Sequence, residues 1–138
     1  MKRHVHSVAP DMTVAEAARI MKSERIGFLP VCDQAHHPLG VVTDRDLAIR
    51  VCAANLPSAT TTVSQVMTLE PVSCTAELSV DDVEKLMARK KTRRVLAVDG
   101  QNRLVGLITF SDMAHHQDPF KAARMLRDLS TNRFRLEK

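Results

Sequence analysis

The chain repeats itself at an offset of 66 residues, and this repeat constrains its fold more than any other feature of the sequence. Shifting the 138-residue sequence by that offset aligns its two halves without a gap. Gly40-Val41-Val42-Thr43 then falls on Gly106-Leu107-Ile108-Thr109, and Asp46 falls on Asp112. The matches concentrate at turns, helix starts and polar positions. A fixed offset of this kind indicates that one supersecondary unit is used twice.

Each half is predicted to contain a strand, a helix, two strands and a second helix. Thr13 and Ser79 each precede an apolar pattern with helical spacing, and an acidic residue follows three positions later, which indicates a capped helix start. Short runs rich in β-branched and apolar residues predict the strands, at residues 5–8, 28–32 and 39–43 and at residues 72–75, 94–98 and 104–109. The second helices are predicted over residues 44–53 and 110–116. The fold class is therefore α+β, with two β-α-β-β-α repeats.

The repeat also sets the predicted domain organisation. A segment of helix-breaking and polar residues, which includes Pro57 and three consecutive Thr, separates the two halves and is predicted to be a linker. Beyond the repeat, Pro119 starts a further stretch with helical spacing of apolar residues. The predicted boundaries are residues 1–54 for the first repeat, 55–62 for the linker, 63–116 for the second repeat with a short helix at 63–67, and 117–138 for a C-terminal helical extension.

Composition narrows the class of protein. Apolar residues make up 44% and charged residues 26% of the chain, which is typical of a globular domain, and four Phe with no Tyr or Trp predict an aliphatic core. The sequence has no apolar run of 18 residues and no signal-peptide pattern, so we expect a cytoplasmic protein without membrane association. The net charge of +4 permits anionic ligands. Because the basic residues are spread along the chain, apart from residues 89–94 and the tail at 121–138, we do not expect a dedicated nucleic-acid surface.

Neither the cysteines nor the histidines predict a metal or catalytic site. Cys32, Cys52 and Cys74 have no metal-binding or redox spacing, so we interpret them as buried or half-buried free thiols. The six histidines provide no third ligand at a recognisable spacing, and we expect no metal. The sequence shows no nucleophile–base or paired-carboxylate pattern, so we expect no catalytic residue and no enzymatic activity.

The Gly-apolar-apolar-Thr-x-x-Asp motif is the strongest candidate for chemistry. It places a Thr at a strand end and an Asp in the first turn of the next helix, beside backbone N–H groups that the helix start leaves free. A carboxylate can accept hydrogen bonds from both ribose hydroxyls, which makes Asp46 and Asp112 candidates for ribose binding. Phosphate-end candidates inside the motifs are Thr43, Arg45, Thr109 and Ser111. The alternative is structural, because Thr and Asp at these positions also cap helices.

Several segments in both halves resemble the cystathionine-β-synthase-type (CBS) domain signature. They are Phe28-Leu29-Pro30-Val31-Cys32-Asp33, Gly40-Val41-Val42-Thr43-Asp44-Arg45-Asp46-Leu47 and Gly106-Leu107-Ile108-Thr109-Phe110-Ser111-Asp112-Met113, with the openings Ser7-Val8-Ala9-Pro10-Asp11-Met12-Thr13-Val14 and Val66-Met67-Thr68. The resemblance covers residues 1–116. It implies that the two repeats pack sheet to sheet as a Bateman module, whose clefts bind adenosine-containing ligands.

The resemblance also implies further binding residues. Arg93 and Arg94 occupy the place of a basic pair that reaches phosphates in the family. The alternative, that they only form a solvent-exposed surface, stays open. The first half has Gly27-Phe28 at the matched positions. The resemblance also implies a set of residues that line the adenine, called the adenine wall, although the same residues would suit a hydrophobic core without a ligand. These are Ser7, Val8, Leu29 and Val31 in the first half and Ser73, Cys74 and Leu96 in the second.

Together these patterns predict an adenosine-nucleotide sensor that acts through a ligand-dependent change of conformation or assembly. AMP, ADP or ATP is the expected ligand, with NAD and S-adenosylmethionine as further members of the class, and no catalytic cofactor is expected. A homodimer and a separate regulated protein are the expected partners. The alternative is a structural dimerisation or protein-interaction module with vestigial clefts, which the amphipathic stretch from Pro119 to Leu129 would support.

Overall fold

The structure is a computed structural model that describes residues 5–69, 71–75 and 77–114. Contacts divide the chain into two units, which are described separately. One contains His6–Pro71 with Asn102–Leu104, and the other contains Val5, Val72–Gln101 and the described residues from Val105 onwards. The predicted C-terminal extension lies outside the described residues. Within them the α+β fold with two repeats is confirmed.

The first half has a three-stranded sheet flanked by helices. Strand β1 pairs antiparallel with β2, and β2 pairs antiparallel with β3. The strand expected at residues 5–8 is reduced to a single parallel bridge between Val8 and Val31. The elements are helix α1 (Val14–Glu24), β1 (Phe28–Cys32), β2 (Pro38–Thr43), α2 (Asp44–Asp46), which continues as a π-helix (Leu47–Cys52), α3 (Val63–Val66) and β3 (Thr68–Leu69).

Helix α1 covers this sheet with one apolar face. Thr13 caps its start by accepting a hydrogen bond from the Glu16 N–H at 3.2 Å, as the sequence predicts. The buried face carries Val14, Ala17 and Met21. These side chains join an aliphatic cluster whose other members are Val8, Leu29, Val31, Val42, Val51, Val63 and Val66. The prediction of an aliphatic core is confirmed for this unit.

The linker is ordered and completes the first half. Its carbonyls accept hydrogen bonds from the first turn of α1, and the lead-in helix α3 donates to the stretch before α1. The bonds run from Val14 N–H to Thr61 O, Ala15 N–H to Ser58 O, Val63 N–H to Met12 O and Ser64 N–H to Pro10 O, at 2.8 to 3.0 Å. Helix α3 and strand β3, which the sequence analysis assigns to the start of the second repeat, therefore pack with the first half.

The second half also has a three-stranded sheet, in which β4 corresponds to the parallel Val8–Val31 bridge of the first half. Its sheet has the order β4-β5-β6, with β4 parallel to β5. The bounds of β5 and β6 agree with those predicted. The elements are β4 (Ser73–Thr75), α4 (Val80–Lys90), β5 (Arg94–Val98), β6 (Leu104–Thr109) and α5 (Phe110–Ala114).

Backbone conformation repeats at the same offset as the sequence. Arg25 ends α1 with φ of 55°, and Lys91 ends α4 with φ of 56°. In the turns between paired strands, His36 has φ of 67° and Asn102 has φ of 61°. Non-glycine residues rarely adopt this left-handed region. Its recurrence at both matched pairs shows that the two halves end their first helix and make their turn in the same way.

Candidate functional site

The predicted Thr–Asp pairs come together in both halves. In the first motif, Thr43 N–H donates to Asp46 Oδ2 at 3.0 Å and Asp46 N–H donates to Thr43 Oγ1 at 3.1 Å. In the second motif, the same two bonds join Thr109 and Asp112 at 3.2 Å each. Each pair is a reciprocal capping box, so the structural role considered for these residues is present. The same bonds also fix the direction of each carboxylate.

The carboxylate of Asp46 has a second neighbour that the sequence analysis did not select. Its Oδ1 atom lies 3.8 Å from Arg50 Nε, while the Asp46 side chain is 14% exposed. Arg50 belongs to the π-helix that continues α2. A spacing of four residues between an acid and a base on one helix was the signal that could have identified this pair.

The backbone amides at the first motif already have acceptors within the protein. Asp44 N–H donates to Gly27 O at 3.0 Å, and Arg45 N–H donates to Asp44 Oδ1 at 2.8 Å. The Asp46 amide is held by Thr43. The expectation of free amides facing a phosphate is therefore not met at this motif, since side chains and a carbonyl satisfy them. A phosphate there would depend on the exposed Arg45 side chain.

The basic pair lies beside the second motif. Phe110 N–H donates to Arg93 O at 2.7 Å, which places Arg93 next to the start of α5. Thr92 shapes this turn, because its hydroxyl donates to Arg94 O at 3.0 Å and accepts from Arg94 N–H at 3.3 Å. Both arginines and Ser111 are exposed. At the matched position the first half has Gly27, whose lack of a side chain leaves room for the Asp44 carboxylate.

The residues proposed as an adenine wall lie mostly in the core. Leu29 and Val31 are 0% exposed and belong to the first aliphatic cluster. Val8, Cys74 and Leu96 are also buried, whereas Ser7 is half-buried and Ser73 is exposed. This placement agrees with the alternative that these positions are plain core, and contact with a ring stays a prediction.

An open pocket of about 480 Å³ lies at one end of β1. The described residues that line it are Ser7, Val8, Ala9, Pro10, Asp11, Cys32, Asp33, Gln34 and His36. Thr43 pairs with Phe28 at the opposite end of the strand. At about 3.3 Å per residue, the two ends are separated by about 13 Å. The pocket therefore includes two candidate wall residues but is distinct from the Thr43–Asp46 pair.

Burial and local contacts shift the pKa values of Cys32 and Asp33, which line this pocket. Burial raises the pKa of the Cys32 thiol, a hydrogen bond with Ser7 opposes this in part, and the negative charge of Asp33 adds to the increase. The pKa of Asp33 is lowered, first by the His37 N–H, which donates to its Oδ1 at 2.9 Å. Burial likewise raises the pKa of the Cys74 thiol. All three cysteines are free thiols as predicted, but Cys52 is exposed, whereas it was predicted to be buried or half-buried.

The described residues contain neither a candidate metal cluster nor a candidate membrane span. Over residues 5–69, 71–75 and 77–114, no group of three or more His, Cys, Asp or Glu side chains is placed to hold a metal ion. No helix in the same ranges combines the length and apolarity that a membrane span requires.

The sequence profile of the CBS domain matches residues 1–52 and 63–119. The chain belongs to the CBS-domain family. The two matched segments correspond to the two repeats, and each contains one Thr–Asp motif. Paired CBS domains are generally ligand-binding regulatory modules.

Similar CBS proteins match this chain over most of its length. The CBS domain-containing protein YhcV of Bacillus subtilis is 40% identical over 117 residues, which are 85% of this chain and 81% of that protein. The crystal structure of Hypoxic Response Protein I with two coordinated zinc ions has a TM-score of 0.73 and 32% identity, and the match covers 85% of this chain and 94% of that one. The crystal structure of CBSX2 in complex with AMP has a TM-score of 0.70, 24% identity and coverage of 82% and 87%, a likeness that shows the fold alone.

Proposed function

We propose that this chain is a regulatory module that binds adenosine nucleotides, with AMP, ADP or ATP as the ligand and NAD or S-adenosylmethionine as further members of the class. The observation that supports this proposal is the Thr–Asp pair, which recurs at matched positions with the same two hydrogen bonds at 3.0 to 3.2 Å. Membership of the CBS-domain family adds support, as does the AMP bound by CBSX2, which shares the fold.

The chemistry of each motif suits a ribose with a phosphate attached. One carboxylate oxygen, Oδ2, accepts a hydrogen bond from the Thr amide, and we assign the other oxygen, Oδ1, to a ribose hydroxyl. In the first half the phosphate would meet Arg45. In the second half it would meet Ser111 with Arg93 and Arg94, whose guanidinium groups match phosphate oxygens.

Such a module acts through binding rather than catalysis. A ligand that binds one conformation more tightly than another shifts the population towards it. We propose that this shift occurs in a cytoplasmic homodimer and is read by a separate regulated protein. The groups assigned to the motifs bind and orient a nucleotide, and we assign no bond-breaking step to them.

Thermal unfolding with a panel of ligands tests the proposal. AMP, ADP, ATP, NAD and S-adenosylmethionine would each be added at about a hundred times the dissociation constant. A ligand specific for the folded state then adds about 2.7 kcal/mol to the free energy of unfolding, which gives a clear increase in melting temperature. We expect at least one of the five ligands to produce it.

The test variants replace the two motif carboxylates, and the control variant replaces a carboxylate outside the motifs. Asp46→Asn combined with Asp112→Asn should remove the response, because an amide oxygen can keep the cap but the charge and one acceptor are lost. Asp82→Asn is the matched control, since Asp82 holds the equivalent position in α4, where its N–H donates to Ser79 Oγ at 3.2 Å. An equal response from the double variant and the wild type would contradict the proposal.

A further inference from the structure

Arg50 connects the first motif to the segment that leads along the chain to the second half. Its Nη1 atom donates to Val66 O at 3.1 Å and to Met67 O at 3.3 Å. Its Nε atom lies 3.8 Å from Asp46 Oδ1. One guanidinium group therefore contacts both the candidate ribose carboxylate and the end of helix α3.

The local backbone explains why an arginine suits this position. The last carbonyls of a helix have no partner within it, and a basic side chain can satisfy them. Helix α3 ends at Val66, and β3 begins at Thr68 and pairs with β2. A planar guanidinium can reach these carbonyls from one nitrogen while another nitrogen faces a carboxylate, whereas a lysine has a single nitrogen for both contacts.

The contact with Asp46 is suited to orientation more than to stability. The Arg50 side chain is 52% exposed, and an ion pair at 3.8 Å in such a setting contributes little to folding. Its effect on direction is different, because Thr43 N–H holds Oδ2 and Arg50 faces Oδ1. The carboxylate is thereby constrained at both oxygens.

We propose that Arg50 is a positioning residue that directs Asp46 Oδ1 towards the ribose and transmits occupancy of the first motif to residues 63–69. This inference rests on the proposed function. A ligand that fixes Asp46 also favours the arrangement in which Arg50 contacts Val66 and Met67. By reciprocity, these contacts with residues 63–69 increase the affinity for the ligand. At the matched position the second half has a histidine, His116, in place of an arginine.

The test measures affinity and backbone protection in a chain that retains only the first motif. All variants carry Asp112→Asn, and the probes are AMP and ATP. We expect Arg50→Gln to weaken binding about fivefold, as is typical of coupled neighbours, with partial recovery in Arg50→Lys. Arg19→Gln, which changes an exposed arginine on α1, should leave affinity unchanged.

In the Asp112→Asn parent, the nucleotide should slow hydrogen exchange over residues 63–69, and Arg50→Gln should remove this effect.

The outcomes separate the inference from the function on which it rests. Melting temperatures without ligand show whether each variant folds, and a lower melting temperature with unchanged affinity would assign Arg50 a structural role only and overturn the inference. Equal protection of residues 63–69 in the parent and Arg50→Gln would also overturn it. If wild type binds none of the five adenosine ligands, the proposed function fails and the inference fails with it.

Discussion

At the scale of single residues, Gly40 shows how a motif position is fixed by packing. A Cβ atom at Gly40 would lie 2.5 Å from Thr68 O and 3.1 Å from Met67 Sδ. The backbone of β3 can approach β2 this closely because Gly40 has no side chain. Packing against β3 therefore accounts for the glycine at the first position of the Gly-apolar-apolar-Thr-x-x-Asp motif, independently of any ligand.

Gly40→Ala should lower the free energy of unfolding by about 1–3 kcal/mol, since the obstructing atom is backbone and the strand must move. Gly100→Ala is the matched control, because a Cβ there meets no atom within 4 Å. That variant should be neutral or more stable by up to about 1 kcal/mol. Denaturant unfolding measures both changes, and equal effects from the two substitutions would show that the close approach at Gly40 has no energetic consequence.

At the scale of elements, the sequence predicted the strands and helices whose bounds depend on residues that are close along the chain. Strands β1 and β5 have their predicted bounds, because a short β-rich run next to a turn identifies them without reference to distant residues. Strand β3 was not predicted, since its two residues are defined only by pairing with Gly40 and Val41. The helix from residue 44 was predicted, but its π-helical continuation was not, because apolar spacing does not distinguish one helical type from the other.

The end of helix α4 provides a test at this scale. Lys91 adopts a left-handed conformation after α4, where glycine has no steric penalty. Lys91→Gly should therefore keep or increase the free energy of unfolding, by up to about 1 kcal/mol. Lys85→Gly, at an exposed position inside α4, should reduce it by about 1 kcal/mol. Thermal and denaturant unfolding would measure both, and a larger loss at Lys91 than at Lys85 would contradict the assigned conformation.

At the scale of the whole molecule, the repeat supplies two motifs with unequal surroundings. The sequence predicted both Thr–Asp pairs, because Thr and Asp are three residues apart in each motif. The role of Arg93 and Arg94 is implied by the resemblance and stays a prediction. The sequence did not predict the Arg50 contacts with Val66 and Met67, which depend on the path of the linker and α3. The first motif thus has Arg50 beside its carboxylate, while the second has Arg93 at the start of its helix.

Calorimetric titration with AMP and with ATP tests most directly the claim that each half contributes one nucleotide site. We expect two binding events per wild-type chain, one in Asp46→Asn, one in Asp112→Asn and none in the double variant, with Asp82→Asn resembling the wild type. Because Arg93 and Arg94 lie beside the second motif, Asp112→Asn should weaken ATP binding more than AMP binding. A double variant that binds either nucleotide with the stoichiometry and affinity of the wild type would contradict the account.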